Sequence, residues 1–199
     1  ILPLILLFKF GNKLENKIKK TLILLLSLAI IADLTSLFLA FNSINNYPVI
    51  HFYTVAIALT VFYYYHLIID KKWMSYILLV LTFFVIGVSL YEIFFNEGIF
   101  NPNNLNYSVV GFIFIFLSLS FFVIRLETIK TRNEIFDYLF WINCAILLYF
   151  GSTFILNLFE NYIRYDNPQI FVFTWVIQLF ATILFNLLIA KGIWTLKKV

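Results

Sequence analysis

Polar and apolar positions along this chain fall in long blocks, with neither strict alternation nor a one-sided helical stripe. Apolar runs at 21–41, 49–69, 75–95, 108–126, 135–159 and 170–194 are separated by short polar connectors. Each run is long enough to cross about 30 Å of hydrocarbon as a helix. A strand would show period-2 alternation, and a lone crossing segment must satisfy its own backbone polar groups, so helices are predicted throughout. The opening "ILPLILLFKF" would make only about 15 Å of helix. Its lysines follow the apolar run instead of preceding it, opposite to a signal peptide. It reads as the second half of a first membrane helix, truncated at its N-terminus. Pro48, Pro102 and Pro168 fall between runs, leaving Pro3 as the proline inside one. The predicted fold is all-α: a single domain, 1–199, forming a polytopic transmembrane bundle of seven helices.

Composition supports this class. Of 199 residues 63% are hydrophobic and 12% charged, about half the charged share of a soluble domain. The net charge of +4 would point to nucleic acid in a soluble protein; here topology explains it. All of the 14 lysines and arginines except Arg164 lie in the connectors near 11–20, 70–74 and 126–134, beside them at Lys9 and Arg125, or at the C-terminal end. Segregation on alternate connectors is the positive-inside pattern, which puts the N-terminus outside and the C-terminus in the cytoplasm. Trp73, Trp141 and Trp194 then mark the inner interface, and Tyr47, Tyr91, Tyr107, Tyr162 and Trp175 the outer one. A multi-pass protein of the bacterial inner membrane is expected, in contact with the lipid bilayer and not with nucleic acid. The single cysteine, Cys144, excludes an intrachain disulfide.

Candidate chemistry is sparse. His51 and His66 lie at opposite ends of one predicted helix, about 22 Å apart, and cannot share a metal. No histidine is expected at the depth of Ser152 to serve as its base. Lys191, about 30 Å from the outer start of the last helix, is too deep for a retinal Schiff base and suits an interfacial anchor. No catalytic residues, metal site or cofactor are expected.

What remains is polar residues within the spans. Thr174, Gln178, Thr182 and Asn186 recur every four residues and drift about 40° at each step, forming one stripe. Asn143, Tyr149, Thr153 and Asn157 form a second on the preceding helix. Such stripes face other helices or water, so interhelical hydrogen bonding and cavity lining are both open readings. Asp33 is the sharper feature. A charged carboxylate at that depth costs on the order of 3 kcal/mol, and no predicted span offers a lysine or arginine to neutralise it. It is either a neutral carboxyl bonded to a group such as Gln178, or a carboxylate facing water or a cation. Above it, His51, Glu92, Asn157 and Thr174 lie within about two turns of the outer surface; with Tyr53, Tyr91 and Trp175 they either form an outward-facing, ligand-binding vestibule with Asp33 at its floor and Gln178 near the same depth, or are ordinary interfacial residues.

The stretch "LFWINCAILLYFGSTFILNLF", with Phe140-Trp141-Ile142-Asn143 followed by Leu148-Tyr149-Phe150, resembles a group of uncharacterised bacterial seven-helix integral membrane proteins. Runs similar to "ADLTSLFLAFNSINN" (32–46) occur in the second helix of that group. The resemblance implies an association with two-component signalling. Short cytoplasmic connectors carry no effector domain, so the expected function is a non-enzymatic sensor subunit that reads an external cue and passes it to a cytoplasmic partner such as a histidine kinase. Homo-oligomerisation is left open. The alternative is a small transporter or channel using Asp33 as its proton or cation site, although neither broken helices nor inverted repeats are visible.

Overall fold

Helix is the conformation that satisfies a lone backbone in hydrocarbon, and local capping then decides where each helix starts and stops. The computed structural model describes residues 1–69, 71–96, 98–128, 137–160, 162–163 and 168–198. Among them are seven α-helices: α1 (Leu2–Phe10), α2 (Asn16–Phe41), α3 (Tyr47–Ile68), α4 (Lys72–Tyr91), α5 (Asn104–Thr128), α6 (Tyr138–Leu158) and α7 (Pro168–Thr195). All but α1 are long and apolar enough to cross a membrane. The basic connector residues Lys130, Arg132 and Arg164 lie outside the described residues.

Boundaries depart from the apolar runs where side-chain chemistry permits. α2 begins before its run and takes in Lys17, Lys19 and Lys20, because long basic side chains can reach the headgroups while their backbone stays helical. It ends in a Schellman motif: the N–H of Ser43 bonds to the carbonyl of Ala40 at 3.0 Å, and that of Ile44 to Leu39 at 2.9 Å. The motif needs a left-handed residue, and Ser43 takes that role at φ 57°. Pro48 sits in the first turn of α3, where its missing N–H costs nothing. α4 runs into a single π-helical turn, Glu92–Asn96, whose end is turned by Gly98 at φ 84°.

The chain divides into two compact units, Ile1 with Leu14–Val110, and Leu2–Lys13 with Gly111–Val199. In the first, α2 packs on α3 and α3 on α4. Leu22 and Leu26 of α2, Ala58, Val61, Tyr64 and Tyr65 of α3, and Met74, Leu78 and Val85 of α4 are buried. The first turns of α5 close this unit at the N-terminal end of α3.

In the second unit α6 packs on α7, and α1 on α7. Gly192 sets the closeness of the first contact: a Cβ there would lie 3.0 Å from the Tyr138 carbonyl oxygen and 3.1 Å from Trp141 Cβ. Small residues of this kind let membrane helices approach. α5 joins α6 through the edge-to-face pair Phe114–Phe150 at 4.6 Å and a bond from Asn143 Nδ2 to the Ser118 carbonyl at 3.0 Å. Asp137 starts α6 by accepting from the Phe140 N–H at 3.0 Å, and its other carboxylate oxygen pairs with Arg125 of α5. Phe10 of α1 meets Trp194 edge-on at 5.7 Å, and Lys191 Nζ lies 5.8 Å over the Trp141 ring, as a snorkelling lysine does.

Large apolar side chains are exposed along the spans, among them Leu34 and Phe38 on α2, Val80 and Phe83 on α4, and Val176 and Phe180 on α7. A soluble protein rarely exposes apolar patches of this extent, whereas in lipid they need no cover. Helix length and apolarity together make this a multi-pass membrane protein.

Candidate functional site

The polar residues that the fold gathers most closely lie in the first unit, where α3 begins, α4 ends in its π turn and α5 starts. They can be built up one bond at a time. The N-terminus of any helix leaves backbone N–H groups without intrahelical partners. At α5, Asn103 holds the capping position, its carbonyl accepting the Tyr107 N–H at 3.1 Å. Its side chain does not cap, because Nδ2 donates instead to Thr54 Oγ1 of α3 at 2.8 Å. Glu92, from the π turn, takes over that task. Its Oε1 accepts the N–H of Leu105 at 3.1 Å and its Oε2 that of Asn106 at 3.2 Å. A carboxylate suits this position, since the helix start carries a partial positive charge.

His51, one turn before Thr54, completes the cluster with Nε2 at 3.1 Å from the Asn101 carbonyl oxygen. A carbonyl only accepts, so Nε2 carries the hydrogen and donates it, and Nδ1 is the ring nitrogen left without a partner. The same reasoning orients Asn103. The Thr54 hydroxyl donates to the Ile50 carbonyl at 2.8 Å, so it receives from the amide nitrogen and leaves Asn103 Oδ1 as a bare acceptor. Nothing partners His51 Nδ1, Asn103 Oδ1, or either amide atom of Asn106. All three residues are buried, Asn106 completely, as are Thr54, Ser89 and Glu92. Buried polar atoms almost always find a partner, and an unpaired one costs about 1–3 kcal/mol. Four such atoms belong to three residues of this one cluster.

The sequence-predicted residues distribute as follows. His51 and Glu92 enter this cluster together, both nearly closed off from the surface. Asp33 sits mid-way along α2 of the same unit, exposed, beside exposed Ile31, Leu34 and Leu37. No hydrogen bond or ion pair reaches it among the described residues. Asn157 and Gln178 lie in the second unit and bond to each other, Gln178 Nε2 donating to Asn157 Oδ1 at 3.1 Å across α6 and α7. The remaining members of the stripes turn largely to their own helices. Thr174 Oγ1 donates to the Phe171 carbonyl at 2.7 Å, Thr182 Oγ1 to Gln178 at 2.9 Å, Asn186 Nδ2 to Thr182 at 2.9 Å and Thr153 Oγ1 to Tyr149 at 2.8 Å. Asn143 reaches α5 as described, and the Tyr149 ring packs against Phe185 at 5.3 Å.

Sequence reasoning did not single out Thr54, Asn101, Asn103 and Asn106. Three of them belong to the connector and helix start "NPNNLN", whose composition reads as an exposed turn. Burial alone separates a ligand-competent asparagine from a solvated one. A further pair, His66 Nδ1 and Ser75 Oγ at 3.0 Å, is exposed where α3 ends and α4 begins, and among the described residues no carboxylate orients the ring. Among these residues no three His, Cys, Asp or Glu side chains come together in a way that could hold a metal.

No family model matches the chain, and neither a curated protein nor a solved structure matches it. The conclusion that the fold carries is a helical, multi-pass integral membrane protein with a buried polar cluster at one end of its first unit.

Proposed function

We propose that this protein is a non-enzymatic sensor subunit of the membrane, in which a small ligand completes the cluster of His51, Glu92, Asn103 and Asn106 and the change is read by a protein partner. The observation that carries the reading is the set of unpaired buried polar atoms in that cluster. They belong to α3 and to the start of α5, beside the π turn that supplies Glu92, and π turns recur at functional positions. Occupancy would tighten α3, the π turn and the start of α5 against one another, and so bias the helices that leave from them. The positive-inside pattern puts this end outside the cytoplasm, where an external cue arrives. Transport through Asp33 has less support, since the side chains exposed beside it are apolar.

The test is photo-crosslinking in native membranes from exposed positions in the basic connectors, such as Asn12 and Lys71, with capture identified by mass spectrometry. Capture of a histidine kinase or response regulator, altered by changes at the cluster, is the expected result. Capture of the chain alone, unchanged by substitutions at Asn106, would overturn the reading.

A further inference from the structure

Hydrocarbon offers no water, so a hollow that opens between membrane spans is filled by lipid chains. α3 and α4 form such a hollow near the short connector that joins them, at the opposite end of α3 from the polar cluster. It is an open groove of about 410 Å³. One wall is a stripe of α3 through Leu59, Tyr63 and His66, and the other a stripe of α4 through Ser75, Leu79 and Thr82. Each stripe rises about 10 Å, roughly a third of the hydrocarbon thickness. Polar groups gather at the connector end. Thr82, at the deep end, spends its hydroxyl on the Leu78 carbonyl at 2.8 Å. At the mouth, Ser75 Oγ lies 3.0 Å from His66 Nδ1 and the His66 ring stacks on Tyr63 at 6.3 Å. These contacts hold the ring and leave Nε2 without a partner among the described residues. Lys72 stands three residues before Ser75, on the same face of α4, and helical side chains lean toward the N-terminus, so it extends past the mouth of the groove. Lys71 precedes it, and both are exposed; the connector sets these two lysines against the single acid Asp70. The first turn of α4 contains no acid, so the positive end of the helix dipole adds to their charge.

An occupant that matches this groove is apolar for about 10 Å and anionic at one end. A free anion leaves the apolar length unfilled. A partner helix, about 10 Å across, would bridge the groove instead of entering it. We propose that the groove binds an anionic phospholipid, with one acyl chain between α3 and α4 and the phosphate held by Lys72 and the Nε2 edge of His66. Ser75 serves as the positioning residue for that ring.

Native mass spectrometry of the full chain in detergent tests this, titrated with dioleoylphosphatidylglycerol or dioleoylphosphatidylcholine, which share acyl chains and differ in net headgroup charge. The anionic lipid should bind saturably and at least about fivefold tighter, the worth of one lysine beside an anionic headgroup. K72Q should lose about that factor and narrow the gap between the two lipids. L79W fills the groove and leaves every charge in place, and it should weaken both lipids. K197Q removes the same charge from the second unit and should change neither. Lys72, Leu79 and Lys197 are exposed, so the packing of each unit is left intact. Equal affinity of the wild-type chain for the two lipids would overturn the proposal, whatever the variants do. A loss in K197Q equal to that in K72Q would show diffuse attraction to total charge, and unchanged binding in L79W would show a headgroup contact without a groove; either result overturns it as well.

Discussion

At the scale of single residues, the most informative side chains are those placed against their ordinary preference. Ser43 adopts a left-handed conformation that costs a residue bearing a Cβ about 1–2 kcal/mol, and no serine bond compensates it in the Schellman motif. Ser43→Gly should therefore stabilise the α2–α3 corner by about 0.5–1 kcal/mol, after allowance for glycine's greater chain entropy; a lower melting temperature in detergent would contradict this. Asp33 is placed against preference differently, as an exposed acid in the middle of a span with no partner among the described residues. Asp33→Leu should leave the melting temperature unchanged or raise it, and should improve membrane insertion by on the order of 3 kcal/mol. A marked loss of thermal stability would show that the carboxyl ties α2 to something else. The presence of Asp33 was legible in the primary structure, whereas its lack of a partner was not, because partners come from other helices.

Single elements are decided by caps and by closest approach. Asp137 both caps α6 and pairs with Arg125, so its two roles can be separated. Asp137→Asn keeps a capping oxygen and loses the charge, whereas Asp137→Ala loses both. The alanine variant should cost about 1 kcal/mol more than the asparagine variant, the usual worth of an N-cap, as read by denaturation in detergent; equal losses would mean that the cap contributes nothing. Gly192→Ala forces a methyl against the Tyr138 carbonyl at 3.0 Å, with backbone that cannot yield. A loss of about 1–3 kcal/mol is expected for overpacking, and a neutral result would show that α6 and α7 can separate freely. The apolar blocks predicted each of these helices and most of their ends. The start of α2 was one exception, described above, and the start of α5 another: its first turn is built from asparagines that composition assigns to a loop, and Glu92, distant in sequence, supplies the missing cap.

For the molecule as a whole, the orientation expected from the charge pattern can be tested with cysteines placed in a Cys144→Ala background. A cysteine at Asn45 should react with an impermeant reagent on intact cells, and one at Asn12 only after permeabilisation; the opposite pattern would invert the topology. Membrane residence and helix number were determined by the sequence alone. These depend on transfer of whole segments between water and hydrocarbon, a property summed over many residues and insensitive to neighbours. Which polar residues matter was decided by tertiary structure. His51, Thr54, Glu92, Asn103 and Asn106 come from three separate helices and connectors, and no periodicity relates them. Only packing puts Glu92 on the α5 N-terminus, turns the amide of Asn103 to Thr54, and shuts Asn106 away from solvent with both its polar atoms unspent. Hydrogen bonding is directional and short-ranged, so its satisfaction is a property of the folded arrangement and is not written in any one stretch of the chain.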